Sequence, residues 1–141
     1  MRVSALIDTR AILALRDRDD RWHSACVEAF DTVRLPLVTS EPVLTELFHL
    51  VGDHPREVAA AWRFVRSGAV TVAPVGDSDL PGLEDLMRRY RDRPMDFADA
   101  TLVHLARQAS LNTVFTVDHA DFETYRFDRG RRFRIVPARF P

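Results

Sequence analysis

Two aspartates three residues apart, Asp96 and Asp99 in PMDFADATLVHLA, head an otherwise apolar segment. Two more, Asp8 in VSALIDTRAIL and Asp118 in TVFTVDHADF, each follow an apolar run directly. A carboxylate at the end of a buried strand is costly unless a cation or a helix N-terminus compensates it. Glu46 in PVLTELFHLV is informative for another reason. At 100° per residue, Val43, Leu44, Leu47, Phe48, Leu50 and Val51 form one apolar arc, and Glu46 lies at its margin, about 40° from Leu50.

Each acid also has a plain reading. Glu46 at a helix edge can pack its stem and wet its head, and Asp96 followed by Asp99 resembles a capping box. Asp96 fits the cap well. Asp99 fits it less well, being shorter than the usual Glu or Gln and set among Ala98, Leu102, Ala106 and Ala109. Collectively, two strand-end aspartates and two helix acids make a set of hard oxygen ligands suited to Mg²⁺ or Mn²⁺. Such a site can activate water for in-line attack on a phosphodiester and neutralise charge on the transition state.

Competing chemistries fail on residues. There are five glycines and neither GxGxxG nor GxxxxGK[ST]. The first strand ends in DTR, without the D-x-D of a phosphoaspartyl hydrolase, and a chain with no Lys lacks the strand-end lysine of a phospho-receiver. His23, His49, His54, His104 and His119 show no zinc spacing, and no Ser-His-Asp arrangement stands out. The single cysteine, Cys26, reads as a buried structural thiol.

The elements that must position the acids follow from patterning. Strands are expected at Val3–Ile7, Leu35–Thr39, Ala69–Val75, Thr113–Val117 and Phe133–Pro137. Between them lie helices: one capped by Thr9 or Asp8; one opened by Asp20 with Trp22, Cys26, Ala29, Phe30 and Val33 on one face; one started by Ser40 and Pro42. Further helices run from His54 to a stop at Gly68, from an Asp79 cap through Leu83 to Tyr90, and from Asp96 to about Ala109, with Pro94 marking the boundary before it and Asn112 turning the chain after it. Alternating strands and helices imply an α/β fold, a mostly parallel sheet between helical layers, with ligands at the carboxyl ends of the strands. At 141 residues with 46% hydrophobic content the chain suits one domain, residues 1–141.

Net charge is −1, and all 20 basic residues are Arg. They concentrate at Arg88, Arg89, Arg91 and Arg93 and again at Arg126, Arg129, Arg131, Arg132, Arg134 and Arg139, patches that could meet phosphates or an acidic partner, or could simply be solvated surface. No run is long and apolar enough to span a membrane, and a cytoplasmic location is expected.

Along nearly the whole chain LIDTRAILAL, SEPVLTELFHL, MDFADATLVHLA and FTVDHADF resemble the successive acidic motifs of PIN-domain nucleases, particularly the VapC-type toxins of toxin–antitoxin pairs. The resemblance implies a three-layer α/β/α fold and cleavage of single-stranded RNA with Mg²⁺ or Mn²⁺. It carries over Asp8, Glu46, Asp99 and Asp118 as the four acids: Asp8, Asp99 and Asp118 toward the metal, Glu46 to position an attacking water or act as general base. Thr9 and Thr116 match small hydroxyl positions that orient the site. Arg10 departs from the family, which usually has a small residue there. The resemblance also implies a homodimer and an inhibitory antitoxin partner. Two other readings stay open, a non-catalytic PIN-like module that binds RNA or a peptide and a DNA-directed nuclease of the flap-cleaving type.

Overall fold

The computed structural model describes residues 2–93 and 95–138. Pro94, expected to mark a helix boundary, and Arg139 of the second basic stretch lie outside the described residues. Five strands, β1 (Val3–Ile7), β2 (Val33–Ser40), β3 (Val70–Ala73), β4 (Thr113–Phe115) and β5 (Arg134–Val136), form one sheet in the order β3-β2-β1-β4-β5. Every pairing is parallel. Such a sheet has no face that can be left to water. The helices α1 (Thr9–Arg16), α2 (His23–Phe30), α3 (Glu41–Val51), α4 (Pro55–Val65), α5 (Leu80–Arg89), α6 (Phe97–Ala109) and α7 (His119–Thr124) cover it, giving the α/β/α architecture expected from the sequence.

The core explains why these segments became strands. Ala5, Leu6 and Ile7 of β1 and Val114 and Phe115 of β4 are fully buried. Ala100, Leu102, Val103 and Ala106 of α6, also fully buried, belong to the same core, and this helix packs against β1 and β2. From β1 the chain builds outward to β2 and β3 on one side, then returns to add β4 and β5 on the other. The carboxyl ends of β1 and β4, paired at Leu6 with Val114 and Ile7 with Phe115, therefore flank the point where strand order reverses. Crevices for ligands open at such points.

Several local expectations shift. Val33 is the first residue of β2, not the last turn of α2, because α2 ends at Phe30. Asp20 does not cap α2 directly: its carboxylate accepts from Trp22 N at 2.8 Å and makes the turn before the helix. Asp79 stands before α5, yet its carboxylate accepts from Gly76 N at 2.8 Å and faces His104 Nε2 and Gln108 Nε2, each also at 2.8 Å. The Gly76 bond first, then those two partners, hold Asp79 down at about 2. Ser110, not Asn112, takes the left-handed conformation that ends α6, at φ 54°. Cys26 is buried, and burial pushes its thiol up to about 12, consistent with a packing role.

Candidate active site

Asp8 begins where β1 stops. Its backbone N–H donates to Phe115 O at 3.2 Å, the last link between β1 and β4, and its side chain caps α1 by accepting from Ala11 N at 3.0 Å through Oδ1. The other oxygen, Oδ2, accepts a short hydrogen bond from the hydroxyl of Thr116. Burial pushes this carboxyl up to about 7 against the pull of those two bonds, and the nearby charges of Asp118 and Glu46 add to the rise.

Asp99 lies in the first turn of α6. Asp96 is the N-cap, its Oδ1 accepting from Asp99 N at 2.7 Å, which accounts for the paired acids that head this helix. The Asp99 carboxyl is raised to about 8, by burial first and then by the charges of Asp96 and Asp8. Its Oδ2 accepts from the Tyr125 hydroxyl at 3.0 Å. Asp118 follows β4 and precedes α7; its N–H donates to Thr116 Oγ1 at 2.9 Å. Partial burial and the neighbouring Asp121 raise it to about 6, while Arg10 pulls the other way.

Glu46 reaches the same place from α3. Ser40 starts that helix, accepting from Val43 N at 3.4 Å, and its hydroxyl also pairs with Thr101 of α6 at 2.7 Å. Thr9 does not touch an acid. Instead it donates to Val43 O at 3.1 Å and ties α1 to α3. Buried hydroxyls thus cross-link the helices that carry Asp8, Glu46 and Asp99, each within a few residues of its acid.

The result is a cleft of about 400 Å³ lined by Asp8, Glu46, Asp99 and Asp118, together with Arg10, His49, Asp96 and Asp121. A larger groove of about 700 Å³ runs on from it past Glu46, His49, Asp96 and Phe97. Another of about 600 Å³, walled by Leu15, Val27, Phe30 and Phe64, shares none of the acids. Of these three, the smaller cleft is the one that gathers all four acids.

Two site residues escape sequence reading. Asp121 sits three residues after Asp118 on α7, a helical spacing that puts both acids on one side once α7 is recognised. Tyr125 has no sequence signal at all. The two basic stretches converge, since the Tyr90 hydroxyl accepts from Arg126 N at 2.9 Å, and Arg93 reaches the Thr124 hydroxyl at 2.6 Å and Asp121 at 3.4 Å. Several of these arginines have structural partners. Arg88 and Arg89 pair with Glu84 and Asp85, and Arg126 donates to the carbonyls of Glu123, Thr124 and Tyr125. Arg129, Arg131 and Arg132 are exposed on the hairpin that follows.

A family model described as the PIN domain matches residues 5–128, which includes all four acids. The chain belongs to the PIN-domain family. Within it the sequence is similar to Ribonuclease VapC26 of Mycobacterium tuberculosis, 32% identical over 134 residues that span 94% of this chain and 99% of that protein. That places it among the VapC-type PIN-domain proteins. The crystal structure of Mycobacterium tuberculosis VapC20, described as a sarcin–ricin loop cleaving toxin, superposes with a TM-score of 0.72 at 23% identity, covering 84% of this chain and 94% of that one. The likeness extends to the five-stranded parallel sheet and its helical layers, so the PIN fold seen here is the family's.

Proposed function

We infer that the protein is an endoribonuclease dependent on Mg²⁺ or Mn²⁺, acting as the toxin of a toxin–antitoxin pair. One observation carries this reading: carboxylates from α1, α3, α6 and the β4–α7 junction line one cleft at the reversal of the sheet, three of them raised by burial and mutual proximity. Packing negative groups together is unfavourable in the absence of a counter-charge. A divalent cation is the ligand that relieves it, and the donor set is entirely hard oxygen. Among the described residues no group of three or more His, Cys, Asp or Glu is arranged to enclose an ion. Mg²⁺ keeps several waters and uses few carboxylates.

Asp8, Asp99 and Asp118 would hold the ion. When bound it supplies Lewis acidity, offsetting charge on the phosphate and lowering the pKa of the attacking water. Glu46, on the α3 wall, would accept the proton of the water that attacks phosphorus, while the leaving oxygen takes one from solvent as its bond breaks. Thr116 keeps Asp8 in place, and Arg10 offers a positive charge beside Asp118. The exposed arginines after Tyr125 provide contacts to the RNA backbone. RNA as substrate is supported by the name of the 32% identical relative, and an antitoxin partner, a homodimer and a cytoplasmic setting accord with the VapC type. No helix among the described residues is long and apolar enough to cross a membrane.

Purified protein incubated with a mixed RNA pool tests the proposal. Cleavage should appear with Mn²⁺ or Mg²⁺ and stop with EDTA; RNA bound but left intact at every metal concentration would indicate a non-catalytic module instead.

A further inference from the structure

Tyr125 is fully buried and sits at the C-terminal end of α7, the helix that has Asp118 at its head. Its ring is fixed from two sides, edge-on to Tyr90 with centroids 5.1 Å apart and edge-on to Phe122 at 5.3 Å. A buried tyrosine hydroxyl needs a partner. Here the partner is not a backbone carbonyl but Oδ2 of Asp99, at 3.0 Å. Among the described residues Oδ1 of Asp99 accepts no hydrogen bond. One oxygen of this carboxylate is therefore held by the protein while the other is unused.

We propose that Tyr125 is a positioning residue of the acidic site, fixing Asp99 through Oδ2 so that Oδ1 is presented to a divalent cation. The inference rests on the metal-dependent reading above and adds to it a residue outside the four acids. Asp99 is the acid most in need of such support. Asp8 is already anchored through both oxygens, by Ala11 N and by Thr116, and the carboxyl of Asp118 is met by the backbone and the side chain of Asp121. At Asp99 only the backbone N–H is fixed by the Asp96 cap, and without Tyr125 its carboxylate is left to rotate. Hydrogen bonds of this kind to a ligating group orient it, and their removal typically lowers metal affinity about 10- to 100-fold. The geometry also makes α7 a two-ended device, with Asp118 at its start and the support for Asp99 at its end.

The substitution Tyr125→Phe keeps the ring and removes only the hydroxyl. Tyr90→Phe is the matched control: it deletes a hydroxyl from the same aromatic cluster, one that accepts from Arg126 N and does not touch Asp99. Mn²⁺ uptake is followed by the loss of its free-ion electron paramagnetic resonance signal, without RNA, and cleavage is measured in parallel across Mn²⁺ concentrations. The expected result is an Mn²⁺ dissociation constant and a half-saturating Mn²⁺ concentration both about 10-fold higher in Tyr125→Phe, with most of the cleavage rate recovered at saturating Mn²⁺ and Tyr90→Phe like the parent. Equal Mn²⁺ affinity in the parent and Tyr125→Phe overturns the role given to Tyr125 while leaving the nuclease reading intact. Equal weakening in both variants also overturns it, by making the hydroxyls merely structural. A parent protein that takes up no Mn²⁺ overturns both.

Discussion

The hydroxyl of Thr116 donates to Oδ2 of Asp8 across 108 residues of sequence, and its own oxygen, Oγ1, accepts from Asp118 N. One side chain at the end of β4 thus fixes both aspartates at the reversal of the sheet. Val at this position keeps the shape and loses the donor. Thr116→Val should lower stability by about 1–2 kcal/mol and cut the cleavage rate at least about 10-fold. Thermal unfolding and single-turnover kinetics check the two effects, and an unchanged rate would show that Asp8 needs no such anchor.

The raised carboxyls make stability depend on pH in a definite direction. Asp8, Asp99 and Asp118 bind their protons more tightly in the folded protein, at about 7, 8 and 6, than near 3.8 when unfolded. The folded state therefore holds more protons between these limits, and stability falls as pH rises. The contribution is fully present below about 4 and is lost progressively as pH rises from there, the loss ending near 6 for Asp118, near 7 for Asp8 and near 8 for Asp99. Metal-free protein should melt lower at pH 8 than at pH 5.5. Mn²⁺ should raise the melting temperature more at pH 8, where it meets carboxylates free of protons. A melting temperature that climbs from pH 5.5 to 8 in EDTA contradicts the crowding of these acids.

Neutralising one of them should relieve the repulsion. Asp99→Asn retains an oxygen for the Tyr125 hydroxyl and removes a buried charge, so metal-free protein at pH 8 should melt a few degrees higher than the parent. The gain should shrink at pH 5.5 and vanish below about pH 4, where Asp99 is protonated in the folded and unfolded states alike. A lower melting temperature at pH 8 would mean that the carboxylate stabilises the fold rather than straining it.

The four acids were legible because each interrupts an apolar pattern. Asp8 and Asp118 stop buried strands, Glu46 lies beside a six-residue apolar arc, and Asp99 sits among alanines where a cap alone did not account for it. The strands were legible for the same reason, their Val- and Thr-rich runs leaving little else to build a core. What escaped lies in elements too short to show a period. HADFET makes only six helical residues, so α7 was not foreseen, and with it went the pairing of Asp118 with Asp121 and the placement of Tyr125. The family resemblance gave Thr9 a part in orienting the site, but a threonine hydroxyl is satisfied by whichever acceptor the packing brings near, here Val43 O. Val33 fell on the α2 face by spacing, yet Phe30 ends the helix and Val33 opens β2.

The exposed arginines of the hairpin after Tyr125 should act on RNA uniformly. Replacing Arg131 and Arg132 together by Ala should weaken RNA binding at all sequences and reduce the slope of affinity against salt by about 1–2. A slope equal to the parent's would assign these residues to solvent.

The central claim is that the two acids heading α6 divide their roles, Asp96 starting the helix and Asp99 serving the chemistry. Single-turnover cleavage of RNA at saturating Mn²⁺ tests it most directly, comparing Asp96→Ser, which keeps a cap, with Asp99→Asn, which keeps the shape. The account predicts a rate within a few-fold of the parent for the first and no detectable cleavage for the second. Comparable rates in the two variants, whether both retained or both lost, would contradict it.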